Sequence, residues 1–180
     1  MTRTPEVNRR GRLARLVVVT MAASLFLTVP AVADKDDLVN VHRMGPIKRD
    51  VTTYKQFKNW FGPPTSVDRH PYQCIDVIDA VWKGRFRMFF NEDTKTAVVA
   101  ILRKRSVVSD RHGLLQFHTR KGLRVGDRAR RVQHLYPRAD KHEHPDKNHW
   151  ILVSGDRGRL EATTAGREVT ELRVFPFEAC

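Results

Sequence analysis

Five residues with metal-ligating chemistry fall within 16 positions of this sequence: His134, His142, Glu143, His144 and His149. His142 and His144 alternate, so on an extended segment both rings reach one side, where His149 or Glu143 could complete a zinc-like shell. Their surroundings favour a solvated loop instead, because Lys141, Pro145, Asp146 and Lys147 interrupt them and no His-x-x-x-His spacing occurs. Cys74 and His70 would suit a thiol nucleophile and its base. In an exported chain, however, a half-cystine is the commoner use of such a cysteine. Asp76 with Asp79, or Glu92 with Asp93, have the composition of a carboxylate pair for acid–base work. Asp79 lies among apolar strand residues, so the expectation is a cross-strand ion pair with Arg85 or Arg87. There is no nucleophile elbow, phosphate loop, dinucleotide fingerprint or zinc-protease helix. The reading is therefore of a protein that is not an enzyme and uses no cofactor.

The basic residues are the stronger signal. The chain has 33 Lys and Arg against 20 Asp and Glu over 180 residues, for a formal net charge of +13. They cluster as Lys83, Arg85 and Arg87; Arg103, Lys104 and Arg105; Arg120, Lys121 and Arg124; and Arg128, Arg130 and Arg131. Arg128 and Arg131 stand about one helical turn apart, opposite the Ala129–Val132 face. Such a patch attracts polyanions at low salt. A generally basic, soluble surface is the blander alternative. Aromatic residues are not interleaved with these charges, which argues against single-stranded nucleic acid as a specific partner.

The elements that must carry these residues are written twice. Tyr54, Phe57, Trp60 and Phe61 meet Ala129, Val132, Leu135 and Tyr136 at an offset of 75. Gly84-Arg85-Phe86-Arg87-Met88 meets Gly158-Arg159-Leu160-Glu161-Ala162 at 74, and Val98–Leu102 meets Glu171–Phe175 at 73. Similarity at a nearly fixed period marks a repeated supersecondary unit. In the first copy, apolar residues at helical spacing from Val51, with Thr52 or Thr53 as cap and Gly62-Pro63-Pro64 as stop, predict a short helix. Strands are expected at Cys74–Trp82, Arg85–Phe90 and Thr96–Leu102, with Thr65–Gln73 a polar loop. In the second copy, a helix is expected at 126–136, with strands near Trp150–Ser154, Arg159–Thr164 and Val169–Phe177.

The expected class is therefore α+β: two tandem units, each a short helix followed by an antiparallel three-stranded meander, which could join edge to edge in one curved sheet. The divisions are a signal peptide at 1–33, an N-terminal arm at 34–50, a first unit at 51–105, a linker at 106–121 with a candidate strand at Leu114–Phe117, and a second unit at 122–180.

The leader reading rests on Arg9, Arg10, Arg12 and Arg15, the uncharged run Leu16–Val29 and the Ala31-Val32-Ala33 ending. Cleavage after Ala33 would remove five basic residues and Glu6, leaving 28 basic against 19 acidic residues, a net charge of +9. The product is expected outside the cytoplasm and as a monomer. There Cys74 and Cys180 are expected to form a disulfide, with free thiols or an intermolecular bond as alternatives. Closing a loop of about 100 residues contributes about 4–5 kcal/mol in the chain-entropy account.

The helix approach Gly122-Leu123-Arg124-Val125-Gly126-Asp127, followed by Val132 and Tyr136-Pro137, resembles the beta-lactamase inhibitor protein fold, as does the tandem copy. Small outer-membrane assembly lipoproteins are that fold's single-unit relatives. The resemblance covers roughly residues 50–177 as architecture. It implies a secreted, non-catalytic binding module presenting a concave sheet and the Trp82-Lys83-Gly84-Arg85 turn to a protein partner. The inhibitor's turn offers an acidic and an aromatic residue, whereas Lys83 and Arg85 stand here, so a different target is implied. Binding an unidentified extracellular protein through the sheet is thus the first functional expectation. Attachment to an anionic envelope polymer or lipid head groups through the basic patch is the alternative.

Overall fold

The computed structural model describes residues 37–156 and 158–175. The expected leader at 1–33 and Cys180 lie outside these residues. In chain order the elements are β1 (Leu38–Asn40), β2 (Arg43–Met44), β3 (Ile47–Lys48), α1 (Tyr54–Phe61), β4 (Ser66–Tyr72), β5 (Ile75–Trp82), β6 (Phe86–Asn91), β7 (Ala97–Leu102), β8 (Ser106–Ser109), β9 (Gly113–Gln116), β10 (His118–Thr119), α2 (Arg130–Leu135), β11 (Asp140–Glu143), β12 (Asn148–Gly155), β13 (Gly158–Ala165) and β14 (Glu168–Phe175).

Eight strands make one antiparallel sheet in the order β11-β12-β13-β14-β7-β6-β5-β4, joined at its middle where Leu172 pairs with Leu102 and Val174 with Ala100. A four-stranded sheet, β10-β1-β2-β3, and the β8–β9 hairpin complete the strands.

The α+β class is corrected by this architecture. Strands hold 54% and helices 11% of the described residues, so the protein is mostly β, not a pair of helix-plus-three-stranded-meander units. The difference has a local cause. Residues 66–72 and 140–143 carry almost entirely solvent-facing side chains and show no apolar alternation, yet they pair as the two edge strands β4 and β11. Pro71 is tolerated in β4 because an edge strand has one side free of ladder bonds. The expected linker supplies β8, β9 and β10, and the expected arm supplies β1–β3 with Val39, Met44 and Ile47 in the core. The helices are also short, at eight and six residues.

α1 starts at Thr53, whose side chain accepts from the Gln56 N–H while the Gln56 side chain accepts from the Thr53 N–H. Its buried Phe57 and Phe61 lie against Trp82, Phe86 and Phe90 of the sheet, and the buried Trp60 meets His112 edge to face. α2 brings Val132, with Tyr136 behind it, into the same core. The Tyr136 hydroxyl donates to Thr119 Oγ1 at 2.7 Å. This satisfies the polar end of a buried ring.

Gly158 opens β13 with φ +134°, a conformation that side chains rarely adopt. A Cβ there would run into the Phe175 carbonyl oxygen and the Arg49 guanidinium. Gly158→Ala is therefore expected to cost about 2–3 kcal/mol, read as a lower urea midpoint at unchanged slope. A midpoint within error of the parent would show that the β12–β13 corner relaxes freely.

Candidate functional site

Backbone pairing builds a basic cleft that sequence distance conceals. After Gly126, the chain runs antiparallel to the start of β14: the Gly126 N–H donates to the Val169 carbonyl and the Val169 N–H to the Asp127 carbonyl, both at 2.8 Å. The Ala129 N–H then donates to the Arg167 carbonyl at 2.7 Å. These bonds hold the β13–β14 turn, with Gly166 and Arg167, against the entry to α2.

Two adjoining clefts result. One is lined by Gly126, Asp127, Arg128, Arg130, Arg131 and His134, the other by Arg128, Ala129, Arg130, Gly166, Arg167 and Glu168. Arg128 and Arg130 belong to both. All four arginines are exposed. Arg131 is engaged, with Nε 3.4 Å from Asp127 Oδ2 and Nη2 donating to the Gly122 carbonyl at 3.4 Å. Asp127 is also occupied by the Arg124 N–H at 2.9 Å. Arg128, Arg130 and Arg167 make no ion pair among the described residues. Three guanidiniums on adjoining clefts, none of them in an ion pair although Asp127 and Glu168 share the lining, have the composition of an anion-binding surface, since each offers planar, forked donors to phosphate or carboxylate oxygens.

The other sequence candidates separate into distinct places. Lys83 and Arg85 are exposed on the β5–β6 turn. The Arg103 N–H donates to the Arg85 carbonyl at 2.8 Å, which brings Lys104 beside that turn. Arg87 is already engaged, because its Nη2 lies 2.7 Å from Asp79 Oδ2 in the expected cross-strand pair. Arg103 is paired with Glu171 at 2.9 Å. His142 and His149 face each other across β11 and β12, and the His144 and His149 ring centroids are 5.3 Å apart, edge to face. Among the described residues no three or more His, Cys, Asp or Glu are placed to hold a metal ion. Cys74 occupies the β4–β5 turn, and its expected partner Cys180 is outside the described residues.

The basic clusters legible in the sequence include Arg128 and Arg131 but not Arg167. Its proximity to Arg128 depends on the backbone pairing of 126–129 with 167–169, for which residue types carry no signal.

A second polar arrangement lies on the sheet. Asp79 is buried and accepts from Arg87 Nε and Nη2, and it is 3.3 Å from His70 Nε2. Burial pushes its carboxyl up, but the Arg87 and His70 hydrogen bonds outweigh this and hold it below the ordinary value of 3.8. His70 is raised above 6.5, first by its contact with the Pro71 carbonyl and then by Asp79. The Asp79 contribution is therefore complete above the unfolded carboxylate range and lost as pH falls through the depressed folded value. The His70 contribution is complete below 6.5 and lost as pH rises through the raised value. Asp79→Asn is expected to cost about 1–3 kcal/mol at neutral pH, less than a fully buried pair would, because the Arg87 side chain is 38% exposed. It should also flatten the acid limb of stability against pH in urea titrations. An unchanged acid limb would remove Asp79 from the account.

Comparison with family models, with curated proteins and with solved structures finds no match. No helix among the described residues is long and apolar enough to cross a membrane.

Proposed function

We propose that the protein is a secreted, monomeric, non-enzymatic binding module that holds an anionic cell-envelope polymer in the basic cleft at α2. The observation that carries this is the convergence of Arg128, Arg130 and Arg167 on adjoining clefts without ion pairs of their own. Such a site has no hydrophobic lock. It grips repeating phosphate or carboxylate groups by charge and multiplicity, so its affinity falls as counterions compete. Export follows from the leader-like sequence at 1–33, with cleavage after Ala33.

The test is retention of the mature chain, 34–180, on immobilised polyphosphate and on an immobilised polycarboxylate. Elution should be log-linear in salt, and preference for one resin identifies the anion. Absence of retention at low salt, or retention indifferent to salt, overturns the reading.

A second reading is favoured by the corner where Lys83, Arg85 and Lys104 gather. That corner suits an acidic protein surface, captured independently of the cleft. Reversal of Lys83 and Arg85 would abolish such capture while leaving polymer retention intact.

A further inference from the structure

The two clefts at α2 differ in the state of their acidic residue. In the first, Asp127 is engaged: its Oδ2 lies 3.4 Å from Arg131 Nε and accepts from the Arg124 N–H at 2.9 Å. In the second, Glu168 is exposed and makes no ion pair among the described residues, although Arg128, Arg130 and Arg167 line the same cleft. A carboxylate left in that state is a defect in a site for a purely anionic chain, because it repels every phosphate or carboxylate that the arginines draw in.

The backbone sets the opposite charges side by side. Arg128 and Glu168 face each other across an antiparallel bridge. Residues so opposed send their side chains to the same side, from Cβ atoms about 5 Å apart. The bridge is pinned on both flanks, where the Ala129 N–H donates to the Arg167 carbonyl at 2.7 Å and the Val169 N–H to the Asp127 carbonyl at 2.8 Å. The two side chains therefore start from fixed points, and their charged ends stay open to a ligand. The cleft has a volume of about 530 Å³, within the roughly 300–1,000 Å³ of small-molecule sites. That is room for a whole repeat unit of a polymer, beyond a lone ion.

We infer that the second cleft takes a repeat unit carrying an ammonium group a short linker away from its anionic group. This rests on the reading of the α2 cleft as a polymer site and names the class of polymer. Arg128 and Arg167 hold the anion through their forked N–H donors, and Glu168 accepts hydrogen bonds from the ammonium. The ~5 Å spacing of opposed residues suits a linker of about two carbons, as in an aminoethyl phosphodiester. Glu168 thus selects by sign, attracting the zwitterionic repeat and disfavouring the plain anion.

The test uses two synthetic polymers of equal length and group density, one bearing aminoethyl phosphodiesters and the other ethyl phosphodiesters. The anionic group is the same in both, so the ratio of the two affinities for the mature chain isolates the ammonium. A carboxylate ~4 Å from an ammonium is worth about fivefold in affinity even at the dielectric of bulk water. Glu168→Gln should therefore lower the aminoethyl-to-ethyl ratio about fivefold while both polymers still bind. The site is exposed, so the thermal midpoint should stay with the parent's. A ratio that holds within about twofold, or rises, overturns the inference and leaves the anion-binding reading of the cleft standing. If neither polymer binds the parent chain at low salt, that reading fails and takes the inference with it. Vesicles of phosphatidylethanolamine and phosphatidylcholine offer the same group from a lipid surface. The chain is expected to remain in the supernatant when they are pelleted, and co-sedimentation would overturn a polymer as the carrier.

Discussion

Phe57→Ala is expected to lower the unfolding free energy by about 3–5 kcal/mol, enough to leave a small fold marginal. Phe57 is fully buried. Its ring centroid lies 4.6 Å from that of Phe61, 4.5 Å from Trp82, 5.3 Å from Phe86 and 5.9 Å from Phe90. The residue thus engages both β5 and β6 from α1. Truncation removes the transfer free energy of a whole ring and leaves a void that four large aromatics cannot all collapse into without leaving their rotamers. α1 has only eight residues, too few to stand without that anchor. Chemical denaturation checks the loss. A cost below about 1.5 kcal/mol, the range of a volume-conserving swap, would show that the aromatic cluster repacks. Phe57→Leu, which keeps much of the volume, should recover a substantial part of the difference.

Reversing Arg128, Arg130 and Arg167 to Glu together is expected to weaken polymer binding by about 100-fold at low salt. Each basic residue at an anionic surface contributes about 1 kcal/mol, and about 1.4 kcal/mol corresponds to tenfold. Reversal adds repulsion, so the figure is a floor. All three side chains are exposed, so the thermal midpoint should hold within the small range typical of surface substitutions. Arg131→Glu alone should behave differently. It breaks the contact with Asp127 and places two carboxylates one turn apart, which affects α2 more than it affects the ligand. Binding isotherms at two salt concentrations distinguish the cases, since loss of direct contacts flattens the salt dependence and loss of helix stability does not. A triple variant that binds like the parent would move the site away from α2.

The residues that the sequence announces most clearly are those with a local physical signature. The spacing of Tyr54, Phe57, Trp60 and Phe61 and the Gly62-Pro63-Pro64 stop place α1 without any long-range information, and the structure decides between Thr52 and Thr53 as its cap in favour of Thr53. Phe86, Met88 and Phe90 alternate as a half-buried strand must, and Ala97–Leu102 is apolar on both faces because it lies at the middle of the sheet. Asp79 announces itself as a charge among strand residues, and Arg87 on the neighbouring strand answers it.

Edge strands lack such a signature. β4 and β11 bury almost nothing, so no pattern separates them from loops, and their identity lies only in the ladder bonds they make to β5 and β12. The α+β expectation fails for this reason, and because β1–β3, β8 and β10 are too short to show a period.

By itself, then, the sequence determined the basic composition, the apolar faces of the central strands and the apolar face of α1, since composition and alternation act between near neighbours. The tertiary structure alone decided that Arg167 joins Arg128 and Arg130 while Arg87 and Arg103 are neutralised by Asp79 and Glu171. Those partnerships are set by strand register and backbone pairing between distant segments, which bring charges within a few ångströms irrespective of their separation along the chain.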